Sequence, residues 1–277
     1  GVTAQFGGDG LASGRGYLSL PLTTDLAARF SYGHSRSDGF RHNEYLGVDD
    51  SNRRRETVAR VKLRYAPEGG PAVKATLFRV RADNGYDAWA PDNNEDLVTY
   101  SDQPGVDDQE TTAFSVRGEW PLQDDTRLVS ITSYSTTDSE YSFDSDWGND
   151  DFWARPAYGV EGGGYAFFDR MARERTTGTQ ELRAVADRLP GLAGRGVVGI
   201  YAKRLQQETG AAGYLFAGDA SVLTSAYEID ELAVYGRYRR DLSDRLRLTA
   251  LVRADRFRND YEGDSGLADE VGQIVAA

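Results

Sequence analysis

Residues 227–259 constrain the fold more than any other stretch, because they alternate. Leu246, Leu248, Ala250 and Val252 fall on one side of an extended chain, and Arg245, Arg247, Thr249 and Arg253 on the other, with Leu251 the one break. Side chains of a strand point alternately to two faces, so this period of two predicts a strand with an apolar and a charged face. Just before it, Leu232, Val234, Gly236 and Tyr238 oppose Ala233, Tyr235, Arg237 and Arg239. The joint Asp241-Leu242-Ser243-Asp244 is short and rich in turn formers, which predicts an antiparallel hairpin. Beyond each outer end lies a longer polar segment.

The same unit recurs along the chain. Strands are predicted over 2–7, 16–22, 26–37, 57–65, 72–82, 112–120, 127–141, 173–189 and 197–208, which with the hairpin gives about eleven. The cleanest sets Thr57, Ala59, Val61, Leu63 and Tyr65 against Val58, Arg60, Lys62 and Arg64. Segment 181–189 also has a helical reading, which the alternation of Leu182, Ala184 and Ala186 against Glu181, Arg183, Val185 and Asp187 outweighs. Gly7-Gly8-Asp9-Gly10 predicts a bend. Thr23-Thr24-Asp25, Pro67-Glu68-Gly69-Gly70-Pro71, Gln123-Asp124-Asp125 and residues 190–194 predict short turns. Segments 38–54, 83–109, 144–172 and 209–226 predict long loops, and 260–277 a loop or an incomplete strand. Loops longer than about 12–15 residues are uncommon inside compact domains. Long loops at one end of successive hairpins and short turns at the other describe an up-and-down outer-membrane barrel.

Alternation by itself leaves two solutions. In a soluble sandwich the apolar faces meet in a shared core; in a membrane barrel they meet lipid and the polar faces line the lumen. Three features favour the barrel. The strands exceed the usual five or six residues. The apolar faces mix Ala, Gly and Thr with Leu and Val, which lipid tolerates better than a close-packed core does. Tyr65, Trp120 and Tyr238 stand beside short turns, where a membrane-interface aromatic girdle belongs. Apolar residues make up only 39% of the 277, and no apolar run approaches the roughly 20 residues of a spanning helix. A membrane strand needs only about 9–11 residues, apolar at alternate positions, so the barrel survives both facts. A net charge of −12 argues against nucleic-acid binding, which needs a basic face. The absence of cysteine removes a disulfide framework and thiolate metal sites. No charged-then-apolar leader stands at Gly1, so a signal was removed or the chain is an internal piece.

With hairpins, alternation and loop asymmetry in place, the chain resembles the barrel portion of TonB-dependent receptors of the bacterial outer membrane. The likeness is carried by 227–257 (Y…LAVYGRYRRDLSDRLRLTALVRADRF), by Thr179-Gln180-Glu181-Leu182-Arg183 and by 20–40 (LPLTTDLAARFSYGHSRSDGF). The resemblance implies an all-β, antiparallel up-and-down transmembrane β-barrel, of which 1–277 is a partial domain from a plugged barrel of about 22 strands. The plug and the C-terminal strands are expected outside this stretch. The resemblance further implies contact with outer-membrane lipid, with the plug domain of the same full-length chain, and with the TonB energy-coupling complex through the missing N-terminal part. Its implied ligand is a small molecule, most often an iron-siderophore complex, with vitamins and carbohydrates as alternatives. A passive porin-like pore and a soluble extracellular sandwich or adhesin binding glycans also stay open on the residues.

No catalytic constellation is present, so no enzyme and no cofactor are expected. His34 and His42, the latter near Glu44, have no further His or Cys to complete a metal site. The pairs Asp49-Asp50, Asp107-Asp108, Asp124-Asp125 and Asp150-Asp151 read as solvated loop tips without EF-hand spacing. The glycine runs at 7–10 and 162–164 lack a following helix to cradle phosphate. Arg60, Lys62, Arg64, Arg117, Arg183, Arg247 and Arg253 fall on polar strand faces and would line a lumen. There they pair with acidic plug residues or guide an anionic ligand such as a ferric chelate. Trp147, Phe152, Trp153 and Tyr158 in segment 144–172 either stack on a sugar or aromatic ligand or pack on one another.

Overall fold

The computed structural model describes residues 1–123, 125–160, 164–189, 192–216, 218–219, 222–265 and 269–276. Asp124, Gly162, Gly163, Pro190 and Gly191, which belong to predicted turns and glycine runs, lie outside the described residues. In chain order the elements are β1 (Val2–Phe6), β2 (Ala12–Pro21), β3 (Leu26–Ser37), β4 (His42–Asn43), β5 (Arg54–Tyr65), β6 (Ala72–Tyr86), β7 (Val98–Thr99) and β8 (Gly105–Pro121). There follow β9 (Thr126–Asp144), a single helical turn α1 (Asp150–Trp153), β10 (Phe168–Ala186), β11 (Arg195–Leu215), β12 (Gly218–Asp219), β13 (Leu223–Ser243), β14 (Leu246–Asp264) and β15 (Asp269–Ala276).

One antiparallel sheet runs β1-β2-β3-β5-β6-β8-β9-β10-β11-β13-β14-β15, with β12 folded back on β11; β4 and β7 form a separate parallel pair. Each strand of the path lies beside its sequence neighbour in that order, so the sheet is a meander, open between β1 and β15. Every predicted strand is present, and segment 181–189, with its helical alternative, is strand up to Ala186. The last predicted segment contains a further strand, β15.

Short turns gather at one rim. Thr23 Oγ1 accepts from the backbone N–H groups of Asp25 and Leu26 between β2 and β3. Leu122 N–H donates to Thr126 O between β8 and β9. The β5–β6 turn passes through Gly69 at φ 70°, a left-handed conformation that favours glycine. The last hairpin corrects the predicted joint at 241–244. β13 continues through Ser243, a bulge intervenes between Asp241 and Ser243, and the chain reverses at 244–245.

The strands are much longer than the alternation suggested. β8 has 17 residues, β9, β10 and β14 have 19 each, and β11 and β13 have 21 each. About 9–11 residues suffice for a strand to cross a bilayer, and all six of these strands exceed that length. The predicted loop over 209–226 is therefore mostly strand. Those over 83–109 and 144–172 shrink to 87–104 and 145–167.

Register fixes the faces. One row of directly opposed residues runs Leu18, Phe30, Val61, Leu77, Phe114, Tyr134, Gly178, Arg204, Asp230, Arg258. It starts near a turn and ends far from one, as expected when barrel strands tilt by about 35–45°. Near the turns this face is apolar; farther along, Phe114 gives way to Thr112 and Glu110, and Leu232 to Asp230 and Glu228. Beyond the apolar band, ion pairs tie the strand extensions on that face: Arg79–Glu110 at 2.5 Å, Arg170–Glu140 at 2.6 Å and Arg204–Glu228 at 2.5 Å.

Among the described residues no second sheet covers the apolar band. Leu18, Phe30, Leu77, Ile200, Val234 and Val252 are all exposed, whereas Ala28, Tyr100, Val129, Phe152 and Ala233 are the buried apolar residues among those described. A sandwich would seal the first group between two sheets. The sandwich alternative is thereby overturned.

Candidate functional site

Above the wall, the long connections build two knots of buried polar side chains. In the first, Asn43 on β4 donates from Nδ2 to Asp87 Oδ2 (2.9 Å) and to Ser101 O (2.8 Å). Thr99 on β7 donates from Oγ1 to the same Asp87 oxygen at 2.7 Å, and Asn52 Nδ2 donates to Asp87 O at 3.0 Å. Asn43 and Thr99 are fully buried and Asp87 nearly so. A carboxylate out of water needs such donors. This knot staples loop 38–53 to loop 87–104. Gly85 shows how tightly: a Cβ there would meet Ser51 O at 2.2 Å.

The second knot shapes 145–160. Asp144 Oδ1 accepts from the N–H groups of Asp146 and Trp147, both at 3.1 Å. Asp146 accepts from Trp153 Nε1 at 3.0 Å and from Phe167 N–H at 2.8 Å. Asn149 caps α1 through Phe152 N–H at 2.9 Å and donates to Tyr100 O at 2.6 Å. Burial pushes the Asp144 carboxyl from 3.8 up to about 7; the Ser101 hydroxyl lowers it, and the charges of Asp146 and Asp102 push it up further. Asp102 is raised as well, by burial first and then by Asp146.

In the unfolded chain Asp144 ionises near 3.8, so between about 4 and 7 the folded form holds the extra proton. The stability this carboxyl lends is complete below about pH 4 and is lost as pH rises through about 7. Local opening of 145–160 is expected to become easier by on the order of 2–4 kcal/mol between pH 4 and pH 8, at about 1.36 kcal/mol per pKa unit. Asp144→Asn is expected to flatten that dependence and to protect the loop at pH 8. Amide hydrogen exchange, corrected for its intrinsic pH dependence, measures both; a wild-type loop indifferent to pH would refute the assignment.

Aromatic rings from three places converge at the long-loop rim. Tyr86 on β6 meets Tyr141 on β9 edge-on at 5.0 Å and Phe143 at 6.4 Å. By register these three side chains lie on the face opposite the apolar band. Trp89 donates from Nε1 to Tyr86 Oη at 3.2 Å and stacks on Trp147 at 5.8 Å and 27°. Trp89 and Trp147 stay 55% and 39% exposed, leaving an open aromatic shelf. Of the predicted loop aromatics, Trp147 joins this shelf. Phe152 does not: it is buried to 1% between Tyr158 (4.9 Å), Tyr100 (4.5 Å) and Trp153 (5.4 Å), with the Arg155 guanidinium 4.4 Å from its centroid. Phe152, Trp153 and Tyr158 thus pack on one another, the second of the two arrangements that the sequence left open. Trp89, Tyr86, Tyr141 and Phe143 were not singled out in the sequence; their signal was an aromatic at each strand end next to a long loop.

The predicted basic residues all lie on the face opposite the apolar band and divide into two groups. Arg117 pairs with Glu119 (2.8 Å), Arg183 with Glu181 (3.1 Å), Arg247 with Asp241 (2.5 Å) and Arg253 with Glu231 (2.9 Å) and Asp255 (2.6 Å). Carboxylates of the wall itself therefore neutralise these. Arg60, Lys62 and Arg64 have no ion pair among the described residues, and Arg29 and Lys74 stand opposite Lys62 and Arg64. Together they form an unneutralised basic stripe over β3, β5 and β6. Tyr65, Trp120 and Tyr238 lie on the apolar face at the turn rim, and Tyr238 Oη donates to Ala193 O at 2.8 Å. His34 meets Thr57 at 2.9 Å and His42 meets Asp49 at 2.7 Å. Among the described residues no group of three or more acidic or histidine side chains could hold a metal ion.

No protein-family model matches the chain, and no curated protein matches it in sequence. Solved structures do. The ferric yersiniabactin uptake receptor FyuA from Yersinia pestis aligns with 99% of the chain at a TM-score of 0.75 and 18% identity. The siderophore receptor PiuA from Acinetobacter baumannii aligns with 99% at 0.70 and 11% identity, and the ferric-catecholate import receptor Fiu from E. coli K12, in its open form, with 100% at 0.65 and 12%. The fold is that of a TonB-dependent receptor barrel. The chain spans 41%, 44% and 49% of those three receptors, less than half of each. In a receptor barrel the apolar face turns to lipid and the opposite face to the lumen.

Proposed function

We propose that this chain is a length of the wall of an outer-membrane receptor that captures an iron-siderophore complex and passes it inward by TonB-coupled uptake. The observation that carries the reading is the alignment of its whole length with receptors named for ferric-siderophore uptake. The aromatic shelf at the long-loop rim supplies stacking faces for a ligand carrying aromatic or catechol-like groups. The basic stripe of Arg29, Arg60, Lys62, Arg64 and Lys74 gives the lumen a local field that draws an anionic chelate inward, despite the chain's net charge of −12. The plug domain and the TonB complex enter as partners through parts of the receptor beyond this chain. The membrane lipid meets the apolar band, with Tyr65, Trp120 and Tyr238 at headgroup level on the side of the short turns.

Equilibrium titration of the full-length receptor with a panel of ferric siderophores tests this. One member of the panel is expected to bind, and Trp89→Ala with Trp147→Ala to weaken it about tenfold, from one to two lost stacking contacts of about 0.5–1.5 kcal/mol each. Replacing Phe152 is expected to act on loop folding instead. A receptor that binds no ferric chelate but takes up a vitamin or carbohydrate would move the ligand assignment and leave the barrel in place.

A further inference from the structure

The apolar face carries, beyond its band, a group of cations that the uptake function does not use. Arg36, Arg55, Arg79 and Arg81 project from β3, β5 and β6 on that face, all exposed. Arg79 is taken up by Glu110 and the neighbouring Arg53 by Asp83 at 3.1 Å. Arg36, Arg55 and Arg81 have no ion pair among the described residues. Arg36 is moreover directly opposed to Arg55 in the register, and Arg81 stands between Thr57 and Glu110, whose carboxylate is taken by Arg79. Like charges facing one another across two strands destabilise a sheet. An anion between them converts that repulsion into attraction, and guanidinium groups match phosphate geometry. On β9 to β14 the corresponding positions mix arginine with Glu140, Glu174, Glu208 and Glu228, so the excess of base is local.

Directly below the arginines the face is hollow. A furrow of about 900 Å³ runs over β1, β2, β3 and β5, lined by Gly14, Gly16, Leu18, Phe30 and Tyr32 and reaching Arg36 at its upper end. The glycines supply no side chain, and the flanking rings wall the furrow. An apolar trough that opens toward lipid and ends at unpaired arginines fits a molecule with a hydrocarbon tail and an anionic head.

We propose that this furrow and the Arg36–Arg55–Arg81 group bind a phosphate-bearing lipid of the surrounding leaflet, tail in the furrow and phosphate between the arginines. The assignment rests on the membrane reading above. The test uses the full-length receptor in dioleoylphosphatidylcholine vesicles doped with dioleoyl phosphatidic acid or with dioleoylglycerol, which shares the tails and lacks the phosphate. Lipid retained by the protein is read by native mass spectrometry. Wild type and a Lys62→Gln/Arg64→Gln lumen control are expected to retain phosphatidic acid over dioleoylglycerol. The triple variant Arg36→Gln/Arg55→Gln/Arg81→Gln is expected to bind it on the order of a hundredfold more weakly, at roughly fivefold per arginine near a membrane surface. Equal retention by triple variant and wild type overturns the proposal, and so does displacement by inorganic phosphate at equal concentration, which would make the site a plain anion site. Protection of the wall from added protease reports insertion independently. A chain that inserts without selecting the phospholipid defeats only this inference, whereas one that does not insert defeats the membrane reading with it.

Discussion

Ile200→Arg is expected to cost the full-length receptor about 2–4 kcal/mol of stability in a lipid bilayer, and Lys62→Leu less than about 1 kcal/mol. Ile200 is 51% exposed, stands opposite Leu182 and Val234, and lies in the apolar band between Val198 and Ala202. A guanidinium at that depth must leave water or drag water and headgroups into the hydrocarbon. Lys62 lies on the other face, makes no ion pair among the described residues and is exposed, so its loss removes no contact that holds the wall. Denaturant titrations of both variants in phosphatidylcholine vesicles measure the difference. If the two substitutions cost the same, the assignment of lipid to the Ile200 side is wrong. In detergent-free buffer the contrast loses its meaning, because the exposed band there drives association instead of insertion.

The part of the fold that carries the apolar band was legible because an apolar face and a polar face impose a period of two. Leu246, Leu248, Ala250 and Val252 announced β14, and the register places them with Tyr238, Gly236 and Val234 as the alternation required. Where one solvent bathes both faces the signal fades. β11 runs on through Gly210, Ala211 and Ala212, and β10 begins at Phe168, yet neither stretch alternates, because above the band both faces meet water. There the ladder and pairs such as Arg204–Glu228 hold the strands, and these join residues far apart in sequence. The turn at 244–245 was displaced from the expected position because Asp241 and Leu242 suit both a turn and a bulged strand end. The candidate site was legible only in part. Trp147 was found as a loop aromatic, but its partner Trp89 comes from another loop, and no local pattern links them. The buried Asp87 carried no local signal, since its partners Asn43 and Asn52 lie 44 and 35 residues away.

That same buried carboxylate carries the second large effect, Asp87→Ala. Its Oδ2 accepts from Asn43 Nδ2 and Thr99 Oγ1, and both donors are shut away from solvent. Truncation leaves two buried donors unsatisfied at about 1–3 kcal/mol each, so the loop assembly is expected to weaken by roughly 2–6 kcal/mol. The loss should be confined to the loops. The wall strands β9, β10 and β11 are held by their own continuous ladder and take no hydrogen bond from Asp87. Amide hydrogen exchange of the full-length receptor is therefore expected to speed up across 38–53 and 87–104 while β9 to β11 keep their protection. Asp87→Asn, which retains one carboxamide oxygen, should fall between wild type and alanine. Trp89 follows Asp87 by two residues, and the shelf it forms with Trp147 depends on where loop 87–104 is held. The proposed ferric-chelate capture should therefore drop in Asp87→Ala even though no ligand atom needs to touch that residue. If exchange in both loops stays at the wild-type rate, the knot does not hold them, and the positioning of Trp89 must be sought in its contacts with Tyr86 and Trp147.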